Sequence, residues 1–276
     1  MLCPQLASAA EEPCDAPSPD CAVVGQWEIS ASFGLGQRSN PVAGESDIPL
    51  VVVPQISYYG KRFFLVNLEL GYTLFEGEKN TFNVIATPGY DRVFFHRGDL
   101  QNIFVPTSGG GAFSGRPDPM PGNGDDLDSE NVRNFEVGRR RTTFLVGPEW
   151  TFGYGRITGQ LNAVREVTGR HNGMEVRGAL ASPLLVGRFG SLVASGGITW
   201  KSAEVVRYYY GVDNLYVPDS SLSPFVKLRY SREISDRWGF NLFAHYEKLS
   251  SSISDSPIVS EDHVTTVFAG VVFRVH

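Results

Sequence analysis

Long apolar runs and an excess of positive charge are both missing from this sequence. No uninterrupted apolar stretch reaches the roughly eighteen residues that a membrane-spanning helix requires. Acidic residues outnumber basic ones, and the formal net charge of -6 argues against a nucleic-acid-binding surface. Cysteine is scarce: only Cys3, Cys14 and Cys21 occur, with no second Cys or His pair at metal-ligand spacing nearby. We therefore expect neither a metal nor another cofactor.

The composition favours a fold built mainly of β-strands. The chain has 30 glycines and 12% aromatic residues, a mixture typical of many strands joined by tight turns. The C-terminal segment Val264–His276 alternates an apolar face with a small or polar face. Such a strand fits a sheet that lies between lipid and a wet or packed interior. The segment also resembles the terminal signal of outer-membrane proteins, although an aromatic residue usually ends that signal.

The same alternation recurs along the chain and predicts an all-β fold, a closed antiparallel transmembrane β-barrel. Eleven strands are indicated directly, and an even number requires one more between residues 97 and 137, for which Leu100–Pro106 is the best candidate. We therefore predict twelve strands, with ten as the alternative. The eleven strands are 26–36, 48–59, 62–72, 80–96, 138–152, 156–168, 174–187, 190–202, 222–233, 237–249 and 264–275.

A soluble β-sandwich would also alternate, but three features favour the barrel. The strands exceed the usual five or six residues of soluble sheets. Very short connections alternate with long ones, as in barrels with short periplasmic turns and long external loops. Prolines inside the predicted strands must lie at bulges or strand ends. Aromatic residues mark the strand ends, at Trp27, Tyr72, Trp200, Trp238 and Tyr246.

The N-terminus predicts export. Residues 1–9 resemble the end of a secretory signal peptide, with a small-x-small cleavage pattern at Ala7–Ala9. We expect residues 10–25 to form a periplasmic segment and residues 26–276 to form the barrel. Cys14 and Cys21 lie among turn-forming residues, so an oxidising periplasm makes a disulfide between them plausible.

Charged and polar residues on the predicted inner face are the first group of candidate functional residues. They either form ion pairs that fill the barrel or line a path for small solutes. Asn241, His245 and Glu247 follow each other at two-residue spacing, which leaves a hydrolase open as a weaker alternative to a hydrogen-bonded interior. The predicted lumen-facing set is Glu69, Lys201, Lys227, Arg229, Asn241, His245, Glu247 and Arg274, with Glu166 on the same face.

The long loops hold the second group. The acidic stretch within Thr107–Arg133 is either a solvated loop or a calcium site, and Arg139–Arg141 either contact lipopolysaccharide phosphates or form a solvated strand end. Tyrosines and the turn Ser256–Val259 form a binding surface or pack across the barrel mouth. The candidate loop surface consists of Tyr209, Tyr210, Asp213, Ser256, Pro257 and Ile258.

Several motifs together resemble the MipA/OmpV family of outer-membrane proteins. They are D-I-P-L-V-V-V-P (Asp47–Pro54), Y-Y-G-K-R-F-F-L (Tyr58–Leu65), Y-Y-G-V (Tyr209–Val212), D-S-P-I-V (Asp255–Val259) and the terminal G-V-V-F-R-V.

The resemblance implies a non-enzymatic protein in the outer membrane of a Gram-negative bacterium, surrounded by lipid and lipopolysaccharide. It further implies a scaffold that joins a murein lytic transglycosylase to a bifunctional murein synthase. A narrow porin-like channel for small solutes or drugs is the alternative function.

Overall fold

The chain forms a closed antiparallel barrel of twelve strands. The computed structural model describes residues 24–95 and 140–275. In the barrel each strand pairs with its sequence neighbours, and β1 pairs with β12 to close the wall. The predicted fold class and strand number are thereby confirmed. The strands are β1 (Trp27–Arg38), β2 (Ile48–Tyr59), β3 (Phe63–Val66), β4 (Glu69–Glu76), β5 (Asn80–Pro88), β6 (Phe144–Tyr154), β7 (Ile157–Glu166), β8 (Met174–Gly187), β9 (Gly190–Lys201), β10 (Ser221–Glu233), β11 (Trp238–Lys248) and β12 (His263–Val275).

The two ends of the barrel differ. Short turns join β2 to β3, β4 to β5, β6 to β7, β8 to β9 and β10 to β11, and they all lie at one end, the turn end. The long connections lie at the opposite end, the mouth end. They carry a 3-10 helix (Asp91–Phe94), helix α1 (Ala203–Tyr210) and the one-turn helix α2 (Ser251–Ser254). In the described part of the chain, no helix is both long and apolar enough to cross a membrane.

The predicted faces of the strands are confirmed in β11 and β12. In β12, Val267, Val271 and Val275 are exposed on the outer surface, whereas Thr266 and Phe268 are buried inside the barrel. Large exposed hydrophobic side chains recur on the outer face of most strands. An outer surface so rich in apolar side chains is suited to lipid and not to water.

Aromatic pairs line the turn end of the outer surface. The rings of Trp27 and Tyr58 lie 5.0 Å apart, and those of Trp238 and Phe273 lie 4.9 Å apart. Trp150 stacks on Phe82 at 5.9 Å on another side of the barrel. Amphipathic rings of this kind are found where a barrel meets the membrane interface.

The segment 62–72 is a hairpin of two strands, so its prediction as a single strand was wrong. The chain reverses at Asn67, whose φ is 54°, and β3 has only four residues. The reversal changes which side chains of β3 point into the barrel, because Phe64 pairs with Gly71 and Val66 pairs with Glu69. In a single strand over 62–72, period-two alternation would place both Phe64 and Val66 on the outer, apolar face. Cross-strand neighbours share a face, so they point inward, and the Phe64 ring covers Gly71.

This hairpin supplies the twelfth strand that the parity argument required. Leu100–Pro106, which was predicted to fill that role, lies outside the described residues. The predicted strands 80–96 and 138–152 are also shorter than expected, since β5 ends at Pro88 and β6 begins at Phe144.

Pro88, Pro148 and Pro183 lie at a strand end or where the ladder is interrupted, as predicted, whereas Pro54 lies within β2. Pro88 ends β5, and the register of β8 shifts just after Pro183. The β6–β7 pairing skips Pro148. On β2, the carbonyl of Ile56 accepts a hydrogen bond from the N–H of Asn67, so the backbone groups of Ile56 face β3 and not β1. Strand β3 itself pairs only with Ser57 to Tyr59. The backbone of Pro54, two residues earlier, faces the same way but lies beyond the end of β3. The missing N–H of Pro54 therefore removes no hydrogen bond between strands.

Candidate functional site: a closed mouth above a charged lumen

The mouth of the barrel is closed by a packed hydrophobic lid. The mouth lid is built from the 3-10 helix, α1, α2 and the chain segments that flank them. Its central side chains are between 0% and 9% exposed, the range found in the core of a soluble domain. They are Val42, Val93, Phe94, Val205, Val206, Tyr209, Tyr210, Val212, Leu249, Ile253, Ile258, Val259 and Val264.

Most of the candidate loop surface belongs to this core. Tyr209 and Tyr210 are fully buried, and Ile258 is also buried. The Ser256 hydroxyl donates to the carbonyl of Tyr210 at 2.6 Å. Packing across the mouth, the second of the two interpretations, is therefore what these residues do. Only Asp213 and Pro257 of the set are exposed.

A buried ion pair fastens the lid to the barrel wall. The Nζ atom of Lys201, at the end of β9, lies 2.6 Å from Asp91 Oδ1. The Tyr210 hydroxyl donates to the same oxygen at 2.8 Å. Burial raises the pKa of Tyr210 well above its ordinary value, and the charge of Asp91 adds to this shift. Lys201 was predicted to face the lumen, but Asp91 was not identified because it fell within the predicted strand 80–96.

Two arginines stabilise the lid from the side. The Arg38 guanidinium lies over the rings of Tyr90 and Phe94, at 4.8 and 4.6 Å. Arg140 donates to the carbonyls of Tyr209 and Gly211, at 3.1 and 3.2 Å. Burial lowers the pKa of Arg140.

Neither a lipopolysaccharide contact nor a solvated strand end, the two alternatives for Arg139–Arg141, describes Arg140. Its guanidinium is buried against lid backbone, and it precedes the strand by several residues. Arg141 is exposed, and Arg139 lies outside the described residues.

Glu166 closes the connection between β7 and β8. Its carboxylate accepts the backbone N–H groups of Thr168, Arg170, His171 and Asn172, at distances between 2.6 and 3.2 Å. The Thr168 hydroxyl donates to it as well. Glu166 was predicted to line the lumen, but the structure uses it to order a loop beside the lid.

The loop beside the lid is expected to lose stability in mild acid. Burial lowers the pKa of His171, and the carboxylates of Glu166, Asp91 and Glu204 only partly oppose this. The folded-state pKa is therefore below the unfolded value of about 6.5. Stability is fully present above that pH and is lost as the pH falls toward the folded-state pKa.

Amide hydrogen exchange across residues 167–173 between pH 7.5 and pH 5 measures this loss. The comparison uses rates corrected for intrinsic chemical exchange. The variant His171→Gln should have a flatter pH profile, and an equally steep profile would contradict the assignment to His171.

Inside the barrel, one part of the wall is acidic and amide-rich. Asn83 donates to Glu149 at 2.9 Å, and Gln160 donates to the same carboxylate. A cavity of about 50 Å³ lies between this part, Arg177 and the lid, and Glu69 and Glu247 also line it. That volume holds a few water molecules and no larger solute.

Basic side chains project into the lumen from β8 and β10, the two strands on either side of β9. Lys227, Arg229 and Arg177 point inward there and repel one another electrostatically. The other predicted lumen residues form local contacts: Asn241 donates to Ser32 at 3.1 Å, and Arg274 pairs with Glu233 at 3.1 Å near the turn end.

His245 is buried among these groups, but the hydrogen bonds of a catalytic arrangement are not formed. In the described part of the chain, neither ring nitrogen has a hydrogen-bond partner, so Asn241 and Glu247 do not orient it. The arrangement offers no activated nucleophile.

Sequence reasoning missed Arg177, Glu149 and Asn83 on the inner face. Each alternates with outward-facing residues on its strand, so the alternation could have identified all three. The predicted signal remnant, the Cys14–Cys21 disulfide and the acidic stretch within Thr107–Arg133 lie outside the described residues.

Comparisons with known proteins agree on the family. The family model "MltA-interacting protein MipA" matches residues 31–275. The chain is 22% identical over 256 residues to the putative outer membrane protein YiaT of Escherichia coli K12, covering 90% of this chain and 91% of the relative. It is 23% identical over 263 residues to the MltA-interacting protein of the same organism, with the same coverage.

An outer membrane channel from Pseudomonas putida F1 has a similar structure, with a TM-score of 0.44 and 11% identity, covering 95% of this chain and 99% of the other. Because the family model matches residues 31–275 and the chain forms a closed barrel with an apolar outer surface, the chain belongs to the MipA family of outer-membrane proteins.

Proposed function

We propose that this protein is a non-enzymatic, non-conducting interaction protein of the cell envelope that holds peptidoglycan-remodelling enzymes at the outer membrane. The observation that carries the proposal is the mouth lid. A barrel whose mouth is closed by a buried hydrophobic core serves better as an anchor than as a pore. The name of the E. coli relative, MltA-interacting protein, supports a murein lytic transglycosylase as the partner. A bifunctional murein synthase is the second partner that we propose.

The periplasmic turns offer a docking surface of net positive charge, because six basic residues outnumber the acidic Glu78 and Asp236. Each of the five turns carries at least one basic residue, although the whole chain has a net charge of -6. All of these side chains are exposed. Such a ring of cations is complementary to an acidic patch on a periplasmic enzyme and would orient the enzyme as it approaches. The ring consists of Lys61, Arg62, Lys79, Arg156, Arg188 and Arg237.

Reversing charge in this ring is expected to weaken capture of the enzyme. The double variant Arg156→Glu with Arg188→Glu should retain at least about tenfold less purified murein lytic transglycosylase than the unaltered barrel, since like charges replace attractive ones. The measurement is retention by the tagged, detergent-folded protein under mild crosslinking. Lys248→Glu is the matched control, because it reverses an exposed charge at the opposite, extracellular rim.

Two results would count against the proposal. One is failure of the unaltered protein to retain the transglycosylase. The other is equal retention by the double variant, which would move the docking surface away from the ring.

A narrow channel is the second candidate function. Its support is the separation of charge in the lumen, where Glu149 lies on β6 and Lys227 and Arg229 lie on β10. A lumen polarised in this way selects among charged solutes if it is open. Single-channel recording in planar bilayers distinguishes the two functions. We expect no conductance from the unaltered protein, and steady conductance would favour the channel.

A further inference from the structure

A row of polar side chains crosses the inner wall at the level of Lys227. Lys227 on β10 pairs with Ser195 on one side and with His245 on the other. His245 pairs in turn with Thr266, and Thr266 pairs with Arg38. Cross-strand neighbours share a face, so the whole row points into the lumen. Five neighbouring strands, β9 to β12 and β1, thus contribute hydrogen-bonding groups to one continuous row on the inner face.

The ammonium group of Lys227 lies near an aromatic ring and two cations. Its Nζ atom lies 5.9 Å from the centre of the Phe243 ring. The positive charges of Arg229 and Arg177 repel it. Within the described residues, no carboxylate forms an ion pair with Lys227. A cation inside the barrel without a counter-charge is electrostatically unfavourable. An anion bound beside Lys227 would remove this electrostatic cost.

Two further groups in this row are buried and have no partner in the described part of the chain. His245 is 4% exposed, and both of its ring nitrogens lack hydrogen bonds. Thr266 is fully buried, and its hydroxyl also lacks a partner. An imidazole N–H and a hydroxyl are both donors, and buried donors are normally satisfied by a protein group, water or a ligand.

Within this row, Lys227 is reached from the turn end of the barrel. Lys227 and Arg229 are partly exposed, whereas Phe225, the next inward side chain toward the mouth, is 5% exposed. The mouth lid closes the other route. Solvent therefore meets Lys227 from the periplasmic side.

We propose that Lys227, together with His245 and Thr266, forms a binding site for a small oxyanion, a carboxylate or a phosphate, that enters the lumen from the periplasm. The ammonium supplies the charge, and the imidazole and the hydroxyl supply neutral donors that fix the orientation of the oxyanion. The basic neighbours Arg177 and Arg229 raise the local concentration of anions. This site does not depend on the proposed scaffold function, because it lies inside the barrel and away from the ring of periplasmic cations.

Calorimetric titration of the detergent-folded protein with inorganic phosphate, and separately with acetate, tests the proposal. We expect saturable binding at one site for at least one of the two anions, and the arm that binds identifies the oxyanion. Lys227→Met should weaken that binding at least about tenfold, since it removes the ammonium that supplies the charge of the site. Lys248→Met is the matched control because Lys248 is an exposed lysine at the mouth end, outside both proposed binding sites, and it should bind as the unaltered protein does.

A second variant keeps the proposal testable if Lys227→Met fails to fold. Thr266→Val keeps the shape of the side chain and removes its hydroxyl, and it should weaken binding severalfold. Faster migration of unboiled samples on a gel verifies that each variant is folded. Absence of saturable binding to the unaltered protein, or undiminished binding to folded Lys227→Met and Thr266→Val, would overturn the proposal.

Discussion

Alanine at position 91 is expected to unfold the mouth lid while the barrel stays closed. Asp91 is 1% exposed and neutralises Lys201, which is 7% exposed. Removing the carboxylate leaves a buried ammonium without its counter-charge and deprives the Tyr210 hydroxyl of its acceptor. Loss of one member of a buried ion pair costs about 3–5 kcal/mol. Local units open with free energies between zero and a global value of about 5–15 kcal/mol, so a loss of this size should open the lid.

Limited proteolysis and hydrogen exchange of the lid measure this effect. In Asp91→Ala, cleavage within residues 203–216 should appear under conditions that leave the unaltered protein intact. Barrel closure is followed separately by the gel mobility of unboiled samples. The matched control is Asp219→Ala, because Asp219 also pairs with a basic lid residue, Arg207, but has a side chain 91% exposed. Exposed pairs contribute little, so this control should keep its lid.

The double variant Asp91→Leu with Lys201→Met separates the two parts of the effect. Replacing both charges by apolar groups removes the unpaired ammonium and is often neutral for stability. We expect the double variant to recover most of the protection that Asp91→Ala loses. A lid that stays protected in Asp91→Ala would contradict the role given to this ion pair.

The substitution Gly147→Ala, which adds a single methyl group, is expected to prevent normal closure of the barrel wall. Gly147 lies on β6 next to Pro148, where pairing with β7 is interrupted. A Cβ atom there would lie 1.9 Å from the carbonyl oxygen of Ala163 and 2.8 Å from the Cα of Val164. Both atoms are backbone, so relief requires the two strands to separate. Overpacking typically costs about 1–3 kcal/mol, and a clash with backbone belongs at or above the upper end.

The same strand provides the control for this substitution. A Cβ atom at Gly153, near the end of β6, meets nothing within 4 Å. Gly153→Ala should therefore fold like the unaltered protein, while Gly147→Ala should show a reduced folded fraction and a lower urea midpoint. Equal urea midpoints for the two variants would show that β6 and β7 have room to move apart.

Alternation along the strands is a local property, and for that reason it predicted most of the fold. The outward set of β12, for example, follows from period-two patterning alone. The hairpin of β3 and β4 was missed because its alternation continues without a break across the turn, and Asn67 is a weak turn signal by itself. The inward Phe64 shows the result: a reversal of the chain inverts the faces without changing the pattern.

The candidate site required information that no local pattern contains. Lys201 was identified as inward-facing, yet its partner Asp91 lies 110 positions earlier, in a segment predicted as strand. Similarly, Tyr209 and Tyr210 are separated from the chain segments that bury them by long stretches of sequence. Their burial depends on how several loops meet above the barrel, which only the three-dimensional arrangement determines.

The pairing of β1 with β12 has a consequence for the order of folding. Ten registered residue pairs join the first strand to the last, so the wall cannot close before the final residues are available. Contacts this distant in sequence form slowly, and until they form both strands present free edges. The lid draws on segments that follow β1, β5, β9 and β11, so it can assemble only on a closed wall. The late folding intermediate should therefore be a closed barrel with an open mouth, and sealing of the mouth should be the final step of maturation.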